Sequence, residues 1–117
     1  MLGSIRTPMP DFVLRDWRLD AGEGDQAPLH MHHRGEEAFI CLDGDLEVEV
    51  DGLRHDVEPG TFIVVPRGAV HTFATRGGGH VLAVMSPEIA ELIDRLHEPM
   101  STGDAQALWG RYHSSLA

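Results

Sequence analysis

The spacing of hydrophobic positions changes near residue 87, from short alternating or apolar segments to a helical period. Between residues 11 and 86 these segments are separated by glycine, proline and aspartate. In residues 45–50 polar and apolar residues alternate strictly, which predicts a strand with one buried face. Many short strands without helices between them predict an all-β fold, an antiparallel sandwich or small barrel over about residues 11–86.

The predicted strands are separated by recognisable turn residues. They cover residues 12–19, 38–42, 45–50, 53–57, 61–65, 69–75 and 80–85. The Asp-Gly pairs at 43–44 and 51–52 each predict a two-residue hairpin turn. Residues 58–60 and 66–68 contain proline and glycine and predict further turns.

The C-terminal tail, residues 87–117, is predicted to be helical. Ser86 is a candidate N-cap and Pro87 a candidate first helical residue. Apolar side chains then recur on one helical face, at Ile89, Leu92, Ile93 and Leu96. Pro99 ends that helix, and Ser101 begins a shorter one that carries Leu108, Trp109 and Tyr112. We expect both helices to pack on the barrel or to contribute to a dimer contact.

Composition narrows the class of protein. A chain of 117 residues is one domain's worth, and no segment approaches the roughly 18 apolar residues of a membrane helix. The net charge of −10 argues against nucleic acid and anionic membranes as partners. The chain has no lysine, which excludes a Schiff-base mechanism. Its single cysteine excludes an intramolecular disulfide and favours the cytoplasm.

Candidate chemistry is concentrated in a histidine-rich segment. His30 and His32 share one strand face, because side chains two residues apart point the same way. Glu37 follows after a short turn, and His71 begins a later predicted strand. Three imidazoles and a carboxylate form a suitable ligand set for a divalent transition metal such as Mn, Fe, Co, Ni, Cu or Zn. On these residues alone, a surface-exposed histidine-rich loop is an equally good interpretation.

The wider spacing of these residues forms two patterns. The first consists of Gly24, His30, His32, Glu37 and Gly44, and the second of Gly60, Pro66, Gly68, His71 and Thr75. Together they resemble the two sequence motifs of the cupin superfamily, in the same order and with the same gaps. The one departure is Thr75, where the family usually has asparagine. The resemblance covers about residues 19–86 and indicates a small single-domain cupin.

The resemblance implies a double-stranded β-helix, or jelly-roll barrel, with one metal ion inside and one or two short helices after it. It also implies the metal ligands His30, His32, Glu37 and His71. Four protein ligands leave two positions of an octahedral ion open to water, dioxygen or a substrate.

Neighbouring residues offer alternatives. Glu36 is the other candidate carboxylate, but the family's spacing selects Glu37. His33 has the opposite strand parity to its neighbours and is expected at the surface or behind the ligands. Phe39 and Cys41 share strand parity with Glu37, and Phe73 shares it with His71. These three residues are therefore expected to face the cavity as an apolar wall.

Three functions remain open at this point, because a fold does not determine a function. The first is a metal-dependent dioxygenase acting on a small organic substrate, with Glu37 also serving as a catalytic base. The second is a redox-neutral isomerase, cyclase or lyase, and the third a non-catalytic module that binds metal or a small molecule. We also expect a homodimer, because a strand beginning near Phe12 and carrying Trp17 would otherwise leave an exposed sheet edge.

Overall fold

The computed structural model describes residue 5, residues 11–22 and residues 24–117. The strands in the described residues are β1 (Val13–Leu19), β2 (His30–His32), β3 (Glu37–Gly44), β4 (Glu47–Val50), β5 (Leu53–Asp56), β6 (Phe62–Val65), β7 (His71–Ala74), β8 (Gly79–Met85) and β9 (Ser114–Leu116). The helices are α1 (Pro87–Leu96) and α2 (Thr102–Arg111). Neither helix has the length and apolarity needed to cross a bilayer.

The strands form two antiparallel sheets. One sheet has four strands in the order β1-β8-β3-β6, and the other has five in the order β5-β4-β7-β2-β9. The alternating side chains of each strand bring apolar residues of both sheets into a shared interior. Its most buried members include Phe39, Cys41, Val48, Val81 and Ala83. The predicted all-β jelly-roll fold with two short helices is therefore confirmed.

One predicted hairpin is present and one is not. Asp51 and Gly52 join β4 to β5, with φ angles of 48° and 85°. Both angles are positive, as a two-residue type I′ turn requires.

The prediction of a hairpin at residues 43–44 is wrong, because β3 pairs with β6 and β8 while β4 lies in the other sheet. Gly44 has a φ of 81°, and a Cβ atom there would lie 2.2 Å from the backbone oxygen of Gly78. The glycine therefore allows the chain to pass between the sheets against a second backbone segment.

The two helices begin where the sequence predicts. The Ser86 hydroxyl accepts a hydrogen bond from the amide of Ile89, and Pro87 is the first residue of α1. The Ser101 hydroxyl caps α2 by accepting from the amide of Asp104. Helix α1 ends at Leu96, before Pro99 is reached.

The tail is not helical to its end, which corrects the sequence prediction. After α2, His113 adopts a φ of 53°, and the chain then runs as β9 alongside β2. A strand of three residues, Ser114–Leu116, is too short to show a hydrophobic period, so its existence depends on the partner strand that it joins.

Candidate metal centre

The four predicted ligands lie together inside the barrel. His30 and His32 come from β2, His71 begins β7, and Glu37 begins β3 in the facing sheet. All four are buried, and one potential ligand atom from each lies within 4.8 Å of those of the other three. His30 and His71 are direct partners across the β2–β7 ladder, which explains how residues 41 positions apart in sequence become neighbours. We call this group of four the floor, since three of its members, His30, His32 and Glu37, also line a cavity.

Hydrogen bonds at the Nδ1 atoms orient the three imidazoles. His30 Nδ1 lies 2.6 Å from the backbone oxygen of Pro28, and His71 Nδ1 lies 3.0 Å from that of Ala69. A carbonyl oxygen only accepts, so each Nδ1 must carry the proton. His32 Nδ1 lies 2.6 Å from the Ser114 hydroxyl. In His30, which is neutral, the Nε2 atom therefore keeps its lone pair, which is the form that binds a metal. His71 reaches the same form when its Nε2 atom gives up the proton that it shares with Glu37.

The Nε2 side of His32 is not satisfied by hydrogen bonding. This atom is buried and has no hydrogen-bond partner among the described residues, although Glu37 Oε1 is 2.7 Å away. His71 Nε2 lies 3.1 Å from the same oxygen. A buried nitrogen that faces a carboxylate without a hydrogen bond is what remains when ligand atoms converge on a cation. The four residues thus fit a divalent transition metal.

The environment of the floor shifts three pKa values. Burial, reinforced by the neighbouring His71, lowers the pKa of His30 to about 4. Burial alone would raise the pKa of Glu37, but the close imidazoles of His32 and His71 outweigh it and hold the pKa at about 2. Burial would likewise lower the pKa of His71, but the hydrogen bond to Glu37 and its charge raise it. Glu37 is therefore an anion and His30 a neutral base at neutral pH.

The residues considered as alternatives lie away from the floor. The carboxylate of Glu36 is exposed and lies 3.5 Å from the Arg67 guanidinium. His33 is exposed, as its strand parity predicts, and lies 2.9 Å from the Ser115 hydroxyl. Buried Thr75 donates a hydrogen bond of 2.8 Å to Asp45 and so serves a turn outside the floor.

A cavity of about 530 Å³ adjoins the floor and is lined by His30, His32 and Glu37. Phe39 and Phe73 line it as predicted, with ring centroids 5.2 Å apart. Trp17 stacks on Phe73 at 5.8 Å and also lines the cavity. Cys41 does not, because it is completely buried in the core, where burial raises the pKa of its thiol. The expectation that Cys41 forms part of the cavity wall is therefore wrong.

The C-terminal helices contribute four apolar residues to the lining of the cavity. Together with Trp17 of β1 they form the group that we call the mouth: Trp17, Leu92, Ile93, Leu96 and Trp109. The Trp109 ring also packs on two imidazoles of the floor, with centroids 5.1 Å from His30 and 6.4 Å from His32.

Sequence reasoning placed Trp17 at an exposed sheet edge and Trp109 on a packing helix, and it missed their place in the site. Trp17 has the same strand parity as Val13 and Leu19, and all three pack against the core. This shared parity could have indicated that Trp17 points inward.

Comparison with known proteins agrees with this site. The cupin domain family matches residues 17–87, which contain all four floor residues. Quercetin 2,3-dioxygenase from Bacillus subtilis (strain 168) is 38% identical over 55 residues, covering 47% of this chain and 16% of that protein. The chain thus spans less than one fifth of the length of this relative.

Solved structures share the fold. KdgF from Halomonas sp. aligns with a TM-score of 0.61 and 26% identity, covering 72% of this chain and 77% of that one. An RmlC-like cupin from Shewanella frigidimarina NCIMB 400 aligns with a TM-score of 0.58 and 22% identity, covering 66% and 67%. With the two-sheet fold, the buried floor and a family match over more than half of its length, the chain belongs to the cupin family.

Proposed function

We propose that this protein is a metal-dependent dioxygenase acting on a small organic substrate. The observation that carries the proposal is the floor itself, four buried potential ligand residues of which three line a cavity of about 530 Å³. His30, His32, Glu37 and His71 hold one divalent transition metal. The bound ion would act as a Lewis acid for oxygen atoms of the substrate and, if redox-active, support reaction with dioxygen.

The protein residues in this proposal have separate tasks. The imidazoles of His30, His32 and His71 supply neutral nitrogen ligands, held by their Nδ1 hydrogen bonds. Glu37 supplies the negative charge and is the proposed catalytic residue, because it is the one carboxylate of the floor and can accept a proton from a bound substrate. The apolar walls exclude water from the substrate.

The walls also favour a particular kind of substrate. Two phenylalanines and two tryptophans line the cavity, and three of the polar residues that line it, His30, His32 and Glu37, belong to the floor. Such walls fit a flat, largely apolar molecule whose oxygen atoms point to the floor. The similarity to quercetin 2,3-dioxygenase supports oxygenation over a redox-neutral reaction.

Oxygen consumption tests this function. Protein loaded in turn with Fe²⁺, Mn²⁺, Co²⁺, Ni²⁺ or Cu²⁺ is mixed with quercetin and with smaller enols and catechols, and dissolved oxygen is recorded. We expect uptake with at least one metal, incorporation of both oxygen atoms of O₂ into product, and loss of uptake in Glu37→Gln. The exposed His33→Ala is the matched control and should keep the activity. Turnover without oxygen uptake would identify a redox-neutral enzyme, and a metal-free protein that binds ligands would identify a binding module.

We further propose that the protein is a homodimer. Strand β1 does lie at the edge of the four-stranded sheet, where its outer backbone groups can pair with another chain. The outer face of the same sheet exposes apolar side chains, with Leu14, Leu42, Phe62 and Val64 each more than 40% exposed. Exposed apolar side chains on one face of a sheet are typical of an interface.

Sedimentation provides the test of the dimer. We expect a mass about twice 12.9 kDa for the wild type at micromolar concentration. Phe62→Asp should shift the mass toward the monomer, whereas Leu53→Asp, at a residue equally exposed on the other sheet, should not. A wild-type mass near 12.9 kDa would reject the proposal.

We also propose a cytoplasmic location, supported by the single buried cysteine and the absence of any disulfide requirement in the sequence. Cell fractionation with a tagged full chain tests it, and recovery outside the cytoplasmic fraction would contradict it.

A further inference from the structure

The strand at the C-terminal end, β9, contacts the floor directly. Ser114 is buried and pairs with His32 in the β2–β9 ladder. Its hydroxyl oxygen lies 2.6 Å from His32 Nδ1, although the two residues are 82 positions apart in sequence. Ser114 lies outside residues 17–87, the part of the chain that matches the family.

The direction of the Ser114 hydrogen bond follows from its second partner. The Ser114 hydroxyl donates its single proton to the backbone oxygen of Tyr112, at 3.2 Å. Its lone pairs therefore face His32, and His32 Nδ1 must be the donor between them. This fixes the proton of His32 on Nδ1 and leaves Nε2 free of a proton, toward Glu37.

Removal of the hydroxyl favours the wrong tautomer. With no acceptor at Nδ1, a neutral His32 gains by moving its proton to Nε2, where Glu37 Oε1 lies 2.7 Å away. The ligand atom would then be a hydrogen-bond donor and unable to bind a cation. His30 and His71 are protected from this change because their Nδ1 partners are backbone carbonyls two residues away.

From these contacts we propose that Ser114 is a positioning residue of the metal centre, which holds His32 in its metal-binding tautomer and orientation. The C-terminal segment is then a working part of the site, and the packing of Trp109 on His30 and His32 belongs to the same arrangement. The inference rests on the proposed metal site and adds a supporting residue to it.

The chain contains a matched control one residue away. Ser115 lies 2.9 Å from a ring nitrogen of His33, so it forms the same type of contact with a histidine outside the floor. Ser115→Ala therefore removes an equivalent hydroxyl from the same strand without touching a ligand. Ser114→Thr keeps the hydroxyl and tests whether that group is what matters.

Co²⁺ affinity, measured on the full chain by competition with a coloured chelator, is the first measurement. Loss of a hydrogen bond behind a metal-binding histidine lowers metal affinity by about 10–100-fold, and we expect a change of that size in Ser114→Ala. Ser115→Ala should bind Co²⁺ like the wild type, and Ser114→Thr should recover most of the affinity.

The second measurement is ¹⁵N NMR of the histidine rings in metal-free protein at about pH 8, above the ordinary histidine pKa of about 6.5. We expect His32 protonated on Nδ1 in the wild type and shifted toward the Nε2 form in Ser114→Ala. Unchanged Co²⁺ affinity in Ser114→Ala, or a wild-type His32 without an Nδ1 proton, overturns the inference. A wild type that binds no Co²⁺ overturns the proposed function, and it also overturns the proposed role of Ser114, which depends on the metal site.

Discussion

The floor and the mouth of the cavity are built by different means. Strands supply the floor, and each of its imidazoles has a hydrogen bond of 2.6–3.0 Å at Nδ1. Four of the five mouth residues lie on α1 and α2, and α1 contacts the barrel through apolar side chains and the Arg15–Asp94 ion pair at 2.8 Å. The floor residues are thus oriented by directed hydrogen bonds, whereas the mouth depends on apolar packing, which is not directional.

The floor and the mouth also differ in their position relative to the part of the chain that matches the family. All four floor residues lie within residues 17–87, which match the cupin domain family, whereas four of the five mouth residues follow residue 87. We infer that the floor determines what reaction is possible and that the mouth determines which molecule enters. Changes in the two regions should therefore affect different measurements.

The largest effect is expected from removing a floor ligand. His71→Ala deletes one of the three proposed nitrogen ligands, the imidazole that is hydrogen-bonded to Glu37. Metal affinity should fall by more than about 100-fold, the largest change expected when only a hydrogen bond behind a ligand is lost. Elemental analysis of freshly purified protein measures the loss.

Two exposed histidines provide the controls for that variant. His33→Ala and His55→Ala should retain the full metal content, since both residues are exposed and lie outside the floor. A His71→Ala protein with as much metal as the wild type would show that the floor is not the metal site.

Acidification is the second way to disturb the floor. Metal must displace the proton that Glu37 helps to hold on His71, whose pKa is raised, so metal affinity should fall as the pH decreases. His30, with a pKa of about 4, stays neutral through the mildly acidic range and adds no competition there. Metal affinity should therefore decrease less steeply with falling pH than it would if all three histidines had to lose a proton.

The sign of the effect on stability follows from the same shift. The fold raises the pKa of His71, so protonation of His71 stabilises the metal-free protein. This stabilisation is complete below the ordinary pKa of 6.5 and is lost as the pH rises through the raised pKa. Bound metal adds stability only where it binds. The difference in melting temperature between metal-loaded and chelator-treated protein should thus shrink from about pH 8 to about pH 5, a range that spans the histidine pKa. A constant difference would argue against histidine ligands.

Changes at the mouth should affect ligand binding and leave the metal in place. Ile93→Ala and Leu96→Ala remove half-buried apolar groups from the mouth and should lower the affinity for an apolar ligand by up to about tenfold. The only two tryptophans of the chain, Trp17 and Trp109, both line the cavity, so quenching of their fluorescence by quercetin reports binding. Metal loss in these variants, or no change in quenching, would remove the distinction between the two regions.

The smallest effect is expected at Thr75, the position where the sequence departs from the family pattern. Its hydroxyl bonds to Asp45 and does not touch the floor. Thr75→Val should lower the free energy of unfolding by about 1 kcal/mol, the usual net value of one hydrogen bond, with unchanged metal content. Urea unfolding measures the first quantity and elemental analysis the second; a loss of metal would give Thr75 a role in the site.

Much of the fold and floor could be predicted because the signals are local or periodic. The alternation in residues 45–50 and the capping of α1 by Ser86 depend on neighbours in the sequence. The convergence of His30, His32, Glu37 and His71 followed from a spacing that resembles a known family.

Features that depend on distant partners could not be predicted. Strand β9 exists because β2 offers it a free edge, and residues 43–44 do not form a hairpin because they pass against Gly78. Trp109 becomes part of the site only through the way α2 packs over the floor. None of these arrangements has a period or a motif in the sequence.

Anomalous X-ray diffraction from crystals grown with Co²⁺ tests the central claim most directly, because it locates the metal. We predict one peak per chain, surrounded by Nε2 of His30, His32 and His71 and by a carboxylate oxygen of Glu37. A peak at His33 or His113, or no peak on the floor of a protein that binds Co²⁺ in solution, would contradict the account.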